Sequence, residues 1–214
     1  MMRWLLGGLS ACCIATACAA GASDTYDMIF REGSLDGLPE ASVIQYSRMA
    51  REPGGTEDSD GTVRLTIGAH DNTELVLEEG GREGAIGSFP TSVGNPLIMY
   101  FMETAVRDVA RLAGGSPFYV RNRVKEVLLE ETPAEPVTAR FEGREIAAKR
   151  FVLHPLEGDK NAARMQGYDT LTLEITVSDE VPGWYVALDA RADGPEGAVY
   201  ETRLDLTSAE EPEQ

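Results

Sequence analysis

Cysteine is missing from the chain beyond residue 18, and the 214-residue sequence contains only two histidines. The three cysteines, Cys12, Cys13 and Cys18, all lie near the N-terminus. Disulfide bonds and thiol catalysis are therefore excluded from the remaining residues. Because His70 and His154 stand apart and no cysteine accompanies them, the sequence shows no metal-ligating pattern. We expect neither a metal nor another cofactor.

Basic residues are few compared with acidic ones: Lys and Arg total 19, Asp and Glu total 36, and the net charge is −17. Loss of Arg3 with a signal peptide would make the charge −18. Such a chain repels the phosphates of nucleic acids, and its charge favours solubility over adhesion to anionic lipid. We therefore expect no nucleic-acid partner, and contact with a membrane only through an N-terminal lipid anchor.

The first residues have the order of a secretory signal peptide. Arg3 gives a basic start, residues 4–17 are apolar or small without a charge, and small residues continue to Ala22. This order predicts a signal peptide over residues 1–22. A membrane-spanning helix needs about 20 mostly apolar residues, and this run is shorter and richer in small residues. We expect an exported protein of the periplasm or the outer membrane.

Two modes of processing fit the segment. Residues 17–19 and 20–22 both have the small-x-small pattern of ordinary cleavage. Residues 15–18 also resemble a bacterial lipobox, in which Cys18 is lipidated and becomes the new N-terminus. Lipidation would anchor the domain to a membrane without a spanning helix. Both modes place the start of the mature chain between Cys18 and Ser23.

Period-2 alternation dominates the rest of the chain and predicts antiparallel strands with one buried and one wet face. The clearest strands cover residues 62–67, 170–177, 184–190 and 202–206, with weaker candidates at 26–31 and 43–49 and a hairpin turn at 141–144. Residues 51–61 and 78–90 are rich in Gly, Pro and acids and are predicted as loops. Residues 208–214 form an acidic tail with little to bury, predicted to be disordered.

Helical spacing replaces alternation in the centre of the chain. Asn95-Pro96 is a capping residue followed by proline at the first helical position, and apolar residues then recur at helical spacing from Leu97 to Leu112. Gly114-Gly115 ends this helix, and Ser116-Pro117 begins a second one that runs to about Glu130. The predicted fold class is therefore α+β: a curved antiparallel sheet packed against a central helical hairpin, in one domain over residues 23–207.

Three cations lie within five residues of the second helix, which is unusual in so acidic a chain. Arg121 and Lys125 border an apolar stripe on one side, and Arg123 borders it on the other. One interpretation is a lip whose cations bind an anionic head group while the stripe meets an acyl chain. The other is a core helix whose cations pair with nearby acids. Arg121, Arg123 and Lys125 are the candidate ligand-binding residues.

The block from Gly94 to Lys125, which contains the Gly-Asn-Pro and Gly-Gly-Ser-Pro-Phe-Tyr-Val-Arg-Asn-Arg-Val-Lys motifs, resembles a family of uncharacterised exported envelope proteins of Gram-negative bacteria. In element order alone, the chain also resembles lipoprotein-carrier domains, in which a curved antiparallel sheet wraps around helices. The likeness implies a fold and assigns no functional residue.

Motifs of catalysis are missing: there is no phosphate loop, no dinucleotide fingerprint and no Gly-x-Ser-x-Gly turn. The sequence therefore predicts a non-catalytic exported envelope protein that binds a lipid, a lipoprotein or another apolar ligand between sheet and helices. One alternative is a structural or interaction module with a filled core and a protein partner of the envelope. The other is a hydrolase that uses Asp or Glu carboxylates. An apolar cavity would favour the first hypothesis, and carboxyls with raised pKa values in a cleft would favour the third.

Overall fold

The computed structural model of the chain describes residues 22–52 and 59–212. Cys18 and all but one residue of the predicted signal peptide lie outside the described residues, as does most of the predicted loop at 51–61. No helix in the described part of the chain is long and apolar enough to cross a membrane.

Strands dominate the described residues, which contain nine strands and three α-helices. All nine form one sheet in the order β4-β3-β2-β1-β9-β8-β7-β6-β5, and every neighbouring pair is antiparallel. The strands are β1 Val43–Arg51, β2 Ser59–Gly68, β3 Asn72–Glu79, β4 Arg82–Phe89, β5 Glu135–Phe141, β6 Arg144–Leu153, β7 Thr172–Val177, β8 Tyr185–Gly194 and β9 Gly197–Glu210.

The predicted α+β class is wrong: the protein is β-rich, with a helical hairpin packed against one large sheet. One reason is that the glycine-rich segment at 78–90, predicted as a loop, contains a complete strand. Gly80 and Gly81 adopt φ values of 57° and 72°, which are the left-handed values of a two-residue hairpin turn. β4 then pairs with β3 along its length. Hydrogen bonds between the two backbones therefore order this segment, although many of its side chains are small.

The helices are α1 Ala22–Ile29, α2 Leu97–Leu112 and α3 Pro117–Leu128. The α2–α3 hairpin connects β4 to β5, which are the two opposite edges of the sheet. Eight inter-strand spacings of about 4.8 Å separate those edges along the sheet, so the connection has to cross a face of the sheet. This topology places the hairpin over the sheet centre. The two helices begin and end within two residues of the predicted positions.

Residues 26–31, a weaker strand candidate, lie mostly in α1 instead. The last carbonyls of α1 accept hydrogen bonds from the start of β8 and the residue before it: Trp184 Nε1 donates to Met28 O at 2.9 Å, and the Tyr185 hydroxyl donates to Ile29 O at 2.7 Å. Helix ends leave such carbonyls unsatisfied unless a partner caps them. These long-range contacts override the β-propensity of the local aromatic residues.

β9 extends further than the sequence indicates. Ser208, Ala209 and Glu210, which fall in the predicted tail, pair with Gln45, Ile44 and Val43 of β1. Main-chain pairing with β1 orders this segment, and Ala209 also packs against the core. The predicted hairpin turn at 141–144 is confirmed, with Glu142 and Gly143 both at positive φ between β5 and β6.

The core lies between α2 and the inner face of the sheet. Phe101 is 1% exposed, and Leu97 and Val109 are fully buried, which confirms the predicted buried face of the first helix. They belong to one apolar cluster with the inward residues of the strands, among them Leu65, Leu173, Ile175, Leu188 and Leu204. Packed side chains therefore occupy the region beneath α2.

Candidate functional site

A cleft of about 380 Å³ opens at the turn of the helical hairpin. One wall is the end of α2, the turn and the start of α3. The other is the long connection between β6 and β7. We call this cavity the hairpin-end cleft. Its lining residues are Val109, Ala110, Ala113, Gly114, Gly115, Ser116, Tyr119, Val120, Leu156, Asn161, Arg164 and Met165.

The floor of the cleft is apolar and its rim is polar. Val109, Ala110, Val120, Leu156 and Met165 are each at most 9% exposed and form the apolar part. The polar residues of the lining, which form its rim, are Ser116, Tyr119, Asn161 and Arg164. Ligand sites commonly combine an apolar lining with a few polar groups, in pockets of roughly 300–1,000 Å³. The cleft lies at the small end of that range.

A buried carboxylate holds the two walls together. Asp159 is 8% exposed and accepts a hydrogen bond of 2.6 Å from the Tyr119 hydroxyl on α3. Asn161, which lies in the β6–β7 connection with Asp159, bonds to both partners. Its backbone N donates to Asp159 Oδ1 at 2.8 Å, and its Nδ2 donates to the Tyr119 hydroxyl oxygen at 3.1 Å. Arg123 Nε lies 3.4 Å from the same carboxylate. The network fixes Tyr119 and Asn161 at the rim.

The ionisation of this network follows from its contacts. Burial raises the pKa of the Asp159 carboxyl, but the hydrogen bonds from Tyr119 and Asn161 and the Arg123 charge together lower it below the usual value. The hydrogen bond to Asp159 in turn raises the pKa of the Tyr119 phenol. At neutral pH the pair is therefore a carboxylate that accepts a hydrogen bond from a neutral phenol.

Arg164 is the cation of the rim. It ends a 3-10 helix of residues 162–164, its backbone N donates to Asn161 O at 2.8 Å, and the next residue, Met165, is buried at 9% exposure. Its side chain forms no ion pair or hydrogen bond within residues 22–52 and 59–212. The backbone of Arg164 is thus held on both sides while its guanidinium is exposed to solvent.

The three cations predicted from the sequence lie elsewhere on α3. Arg121 forms a forked pair with Glu103 of α2, at 2.8 and 2.9 Å from Nη2, and its guanidinium lies 5.5 Å from the Phe118 ring centroid. Arg123 pairs with Glu126 and approaches Asp159. Lys125 is exposed and has no acidic partner in the described part of the chain. None of the three lines the hairpin-end cleft, and their role in ligand binding stays a prediction.

A second group of charges covers the outer face of the sheet, opposite the helices. Asp189 of β8 pairs in register with Glu174 of β7 and Arg203 of β9, in a shallow depression of about 240 Å³. Burial, together with the charges of Glu201 and Glu174, raises the Asp189 pKa to about 6, while Arg203 opposes the shift. Across residues 22–52 and 59–212, no group of three or more His, Cys, Asp or Glu side chains has the arrangement of a metal site.

Asp159, Asn161, Arg164 and Met165 were not identified as site residues from the sequence. They belong to a segment without helical or strand periodicity, so no pattern singles them out. The length of the connection is the signal that could have pointed to them. Residues 154–171 join the neighbouring antiparallel strands β6 and β7, for which a two-residue turn would be enough. Long connections of this kind commonly carry function.

These features define a β-rich protein of one antiparallel sheet with a small amphipathic cleft at the end of a helical hairpin. No protein-family model matches the chain, and no curated protein does. Among solved structures, lipoprotein LppX of Mycobacterium tuberculosis is similar at 11% identity and a TM-score of 0.35, covering 90% of this chain and 98% of that one. An outer membrane lipoprotein-sorting protein domain from Vibrio parahaemolyticus is similar at 6% identity and a TM-score of 0.27, covering 89% and 93%.

Element order led us to expect a loose likeness to lipoprotein-carrier domains, and both of these neighbours are lipoprotein or lipoprotein-sorting proteins by name. At these identities and TM-scores the comparison assigns no fold detail, residue or activity to this chain. The likeness of the Gly94–Lys125 block to an exported family has no counterpart among family models.

Proposed function

We propose that the chain is a non-catalytic protein of the bacterial cell envelope that binds an apolar or amphiphilic small molecule in the hairpin-end cleft. The observation that carries the proposal is the composition of the cleft, in which buried Val109, Leu156 and Met165 lie beneath a rim of neutral and cationic groups. The proposed site is at the end of the hairpin. It does not lie between α2 and the sheet centre, where packed side chains fill the space.

Rigidity of the rim supports a binding role. The Tyr119–Asp159 hydrogen bond and its Asn161 support join α3 to the 154–171 connection, so the walls are held in place before a ligand arrives. A site whose polar groups are already ordered loses less conformational entropy on binding.

The test is a titration with N-phenyl-1-naphthylamine, a neutral probe that fluoresces on entering an apolar site. Ala113 is half-buried in the cleft wall, and we expect Ala113→Trp to fill the cleft and weaken probe binding by about tenfold or more. A second variant that fills the cleft, Gly115→Leu, should weaken binding in the same way. A side chain has room at this position, because a Cβ at Gly115 would meet only Ala110 O, at 3.8 Å.

The matched control is Ala85→Trp, which adds the same side chain to an exposed position on the edge strand β4. It should leave binding unchanged. Mass spectrometry of molecules that copurify with the protein would identify a natural ligand. If the parent chain binds no probe, or if both cleft variants bind it as well as the parent, the proposal is wrong.

The envelope location is part of the proposal and rests on the signal-like order of residues 1–22. We expect the chain recovered from the envelope to begin between Cys18 and Ser23. Comparing its N-terminal mass with that of Cys18→Ser separates lipidation from ordinary cleavage, because only a lipidated chain loses mass and membrane attachment in the variant. Recovery of intact Met1 from the envelope would contradict export by cleavage.

A carboxylate-dependent hydrolase is the second candidate, and Asp189 is the observation that favours it. Its pKa is raised to about 6, which is typical of a general acid. Its depression on the outer face is shallow, and within the described residues its carboxylate has no hydrogen-bonded partner that would orient it. Hydrolysis of glycosidic or ester substrates that disappears in Asp189→Asn would support this function over ligand binding.

A further inference from the structure

Charge distinguishes the hairpin-end cleft from the rest of the molecule. The chain has 36 acidic residues against 19 basic ones, yet no Asp or Glu is among the described residues that line the cleft, and Arg164 supplies its one lining cation. Asp159 lies behind the rim, where Tyr119, Asn161 and Arg123 satisfy its charge. The lining of the cleft therefore carries one cation and no acid, on a protein that is acidic as a whole.

The unpaired state of Arg164 strengthens this point. Most arginines of the described chain form ion pairs with acids, as Arg48 does with Glu79 and Arg150 with Glu135. Arg82 and Arg144 are unpaired like Arg164 in the described residues, but they lie beside hairpin turns at the sheet edges. Among the arginines of residues 22–52 and 59–212, only Arg164 combines an unpaired guanidinium with a position in the lining of this cleft. A guanidinium group forms strong bidentate hydrogen bonds with carboxylate and phosphate groups.

We infer that the ligand of this cleft is an amphiphile with one anionic group, a carboxylate or a phosphate, and that Arg164 binds this group while the apolar part lies on Leu156 and Met165. This inference rests on the proposed function and names the class of its ligand. The Ser116 hydroxyl, which makes no capping bond to its own helix, lies on the same rim and supplies a second, neutral donor to the anion.

The experiment compares dodecanoate, dodecyl phosphate, the neutral dodecanol and inorganic phosphate as competitors of N-phenyl-1-naphthylamine. We expect the two anionic amphiphiles to bind about ten- to hundredfold more tightly than dodecanol, the range that a charged hydrogen bond gives. Inorganic phosphate alone should not compete, since it lacks the apolar part. The preference should shrink at high salt because screening weakens an exposed ionic contact.

Arg164→Gln should remove the preference for the anionic amphiphiles and leave dodecanol binding unchanged. The matched control is Arg144→Gln, which removes an equally unpaired charge from the start of β6 and should keep the preference.

Equal binding of dodecanoate and dodecanol by the parent would overturn the inference while the proposed function stands. Competition by inorganic phosphate as strong as that of dodecyl phosphate would identify a plain anion site and would also overturn the inference. If no amphiphile and no probe binds, both the inference and the proposed function fail.

Discussion

A single side chain, Asn95, connects the start of the helical hairpin to β1 and to the turn that precedes β8. It is 3% exposed. Its Oδ1 accepts from Leu97 N at 3.0 Å, and its Nδ2 donates to Gly183 O at 2.8 Å and to the Tyr46 hydroxyl at 3.2 Å. Gly183 admits this amide, because a Cβ there would lie 2.9 Å from Asn95 Nδ2.

Asn95→Ala removes all three bonds and leaves buried groups without partners. Loss of a helix cap costs about 1 kcal/mol, and each buried polar group left unsatisfied costs about 1–3 kcal/mol. We therefore expect the free energy of unfolding to fall by about 3–5 kcal/mol, a large part of the 5–15 kcal/mol typical of a domain. Urea denaturation with an unchanged m-value measures this difference.

Ser116→Ala is the matched control, because Ser116 precedes Pro117 as Asn95 precedes Pro96. In the structure the Ser116 side chain makes no capping hydrogen bond, and the residue is exposed. The expected loss is below about 0.5 kcal/mol. Equal losses in the two variants, or a loss under 1 kcal/mol for Asn95→Ala, would refute the assignment of Asn95 as the fastening residue.

Three further predictions concern packing, pH and surface charge. Phe101→Ala should cost about 3–5 kcal/mol in a denaturant titration, because the ring is 1% exposed, whereas Phe118→Ala, 74% exposed, should change stability little. Asp189 has a folded-state pKa raised from 3.8 to about 6, so its ionisation destabilises the fold as pH rises from about 4 to 6. Asp189→Asn should therefore raise the free energy of unfolding at pH 7.5 by about 1 kcal/mol, after allowance for the partial exposure of Asp189. At pH 4 the variant and the parent should be equally stable, and a gain in stability at pH 4 alone would contradict this. Replacing Arg121 and Lys125 with Gln should lower the free energy of unfolding by about 1 kcal/mol or less, since the Arg121–Glu103 pair is partly exposed. Loss of dodecanoate binding in that variant would show that these cations contribute to ligand binding.

The sequence predicts those parts of the fold that depend on local periodicity. α2 and its buried face follow from the spacing of apolar residues, and the Asn95 cap is visible in the Asn-Pro pair. The strands β2, β7 and β8 follow from alternation of apolar and polar residues. The hairpin at Glu142 and Gly143 follows from its turn residues.

Parts of the fold that depend on distant partners could not be predicted in this way. α1 is an aromatic-containing segment whose last carbonyls are capped by Trp184 and Tyr185, more than 150 positions away in the chain. β4 and the end of β9 have few apolar residues and are ordered by main-chain pairing with β3 and β1. The Gly80-Gly81 turn was available as a hairpin signal, but the acidic, glycine-rich context favoured a loop.

The position of the cleft follows from two long connections, of which the sheet topology requires only the first. The α2–α3 hairpin has to cross the sheet because it connects opposite edges, and its glycine turn ends over the β6–β7 side. Neighbouring antiparallel strands need only a tight turn, yet residues 154–171 intervene between β6 and β7. That segment buries Leu156 and Met165 and bonds to α3 through Asp159. It therefore closes the open end of the hairpin, and the space left between the two connections is the cleft. Because three separate segments build it, its apolar floor and lone cation arise only in the folded chain, which is why a search along the sequence selected the cations of α3 instead of Arg164.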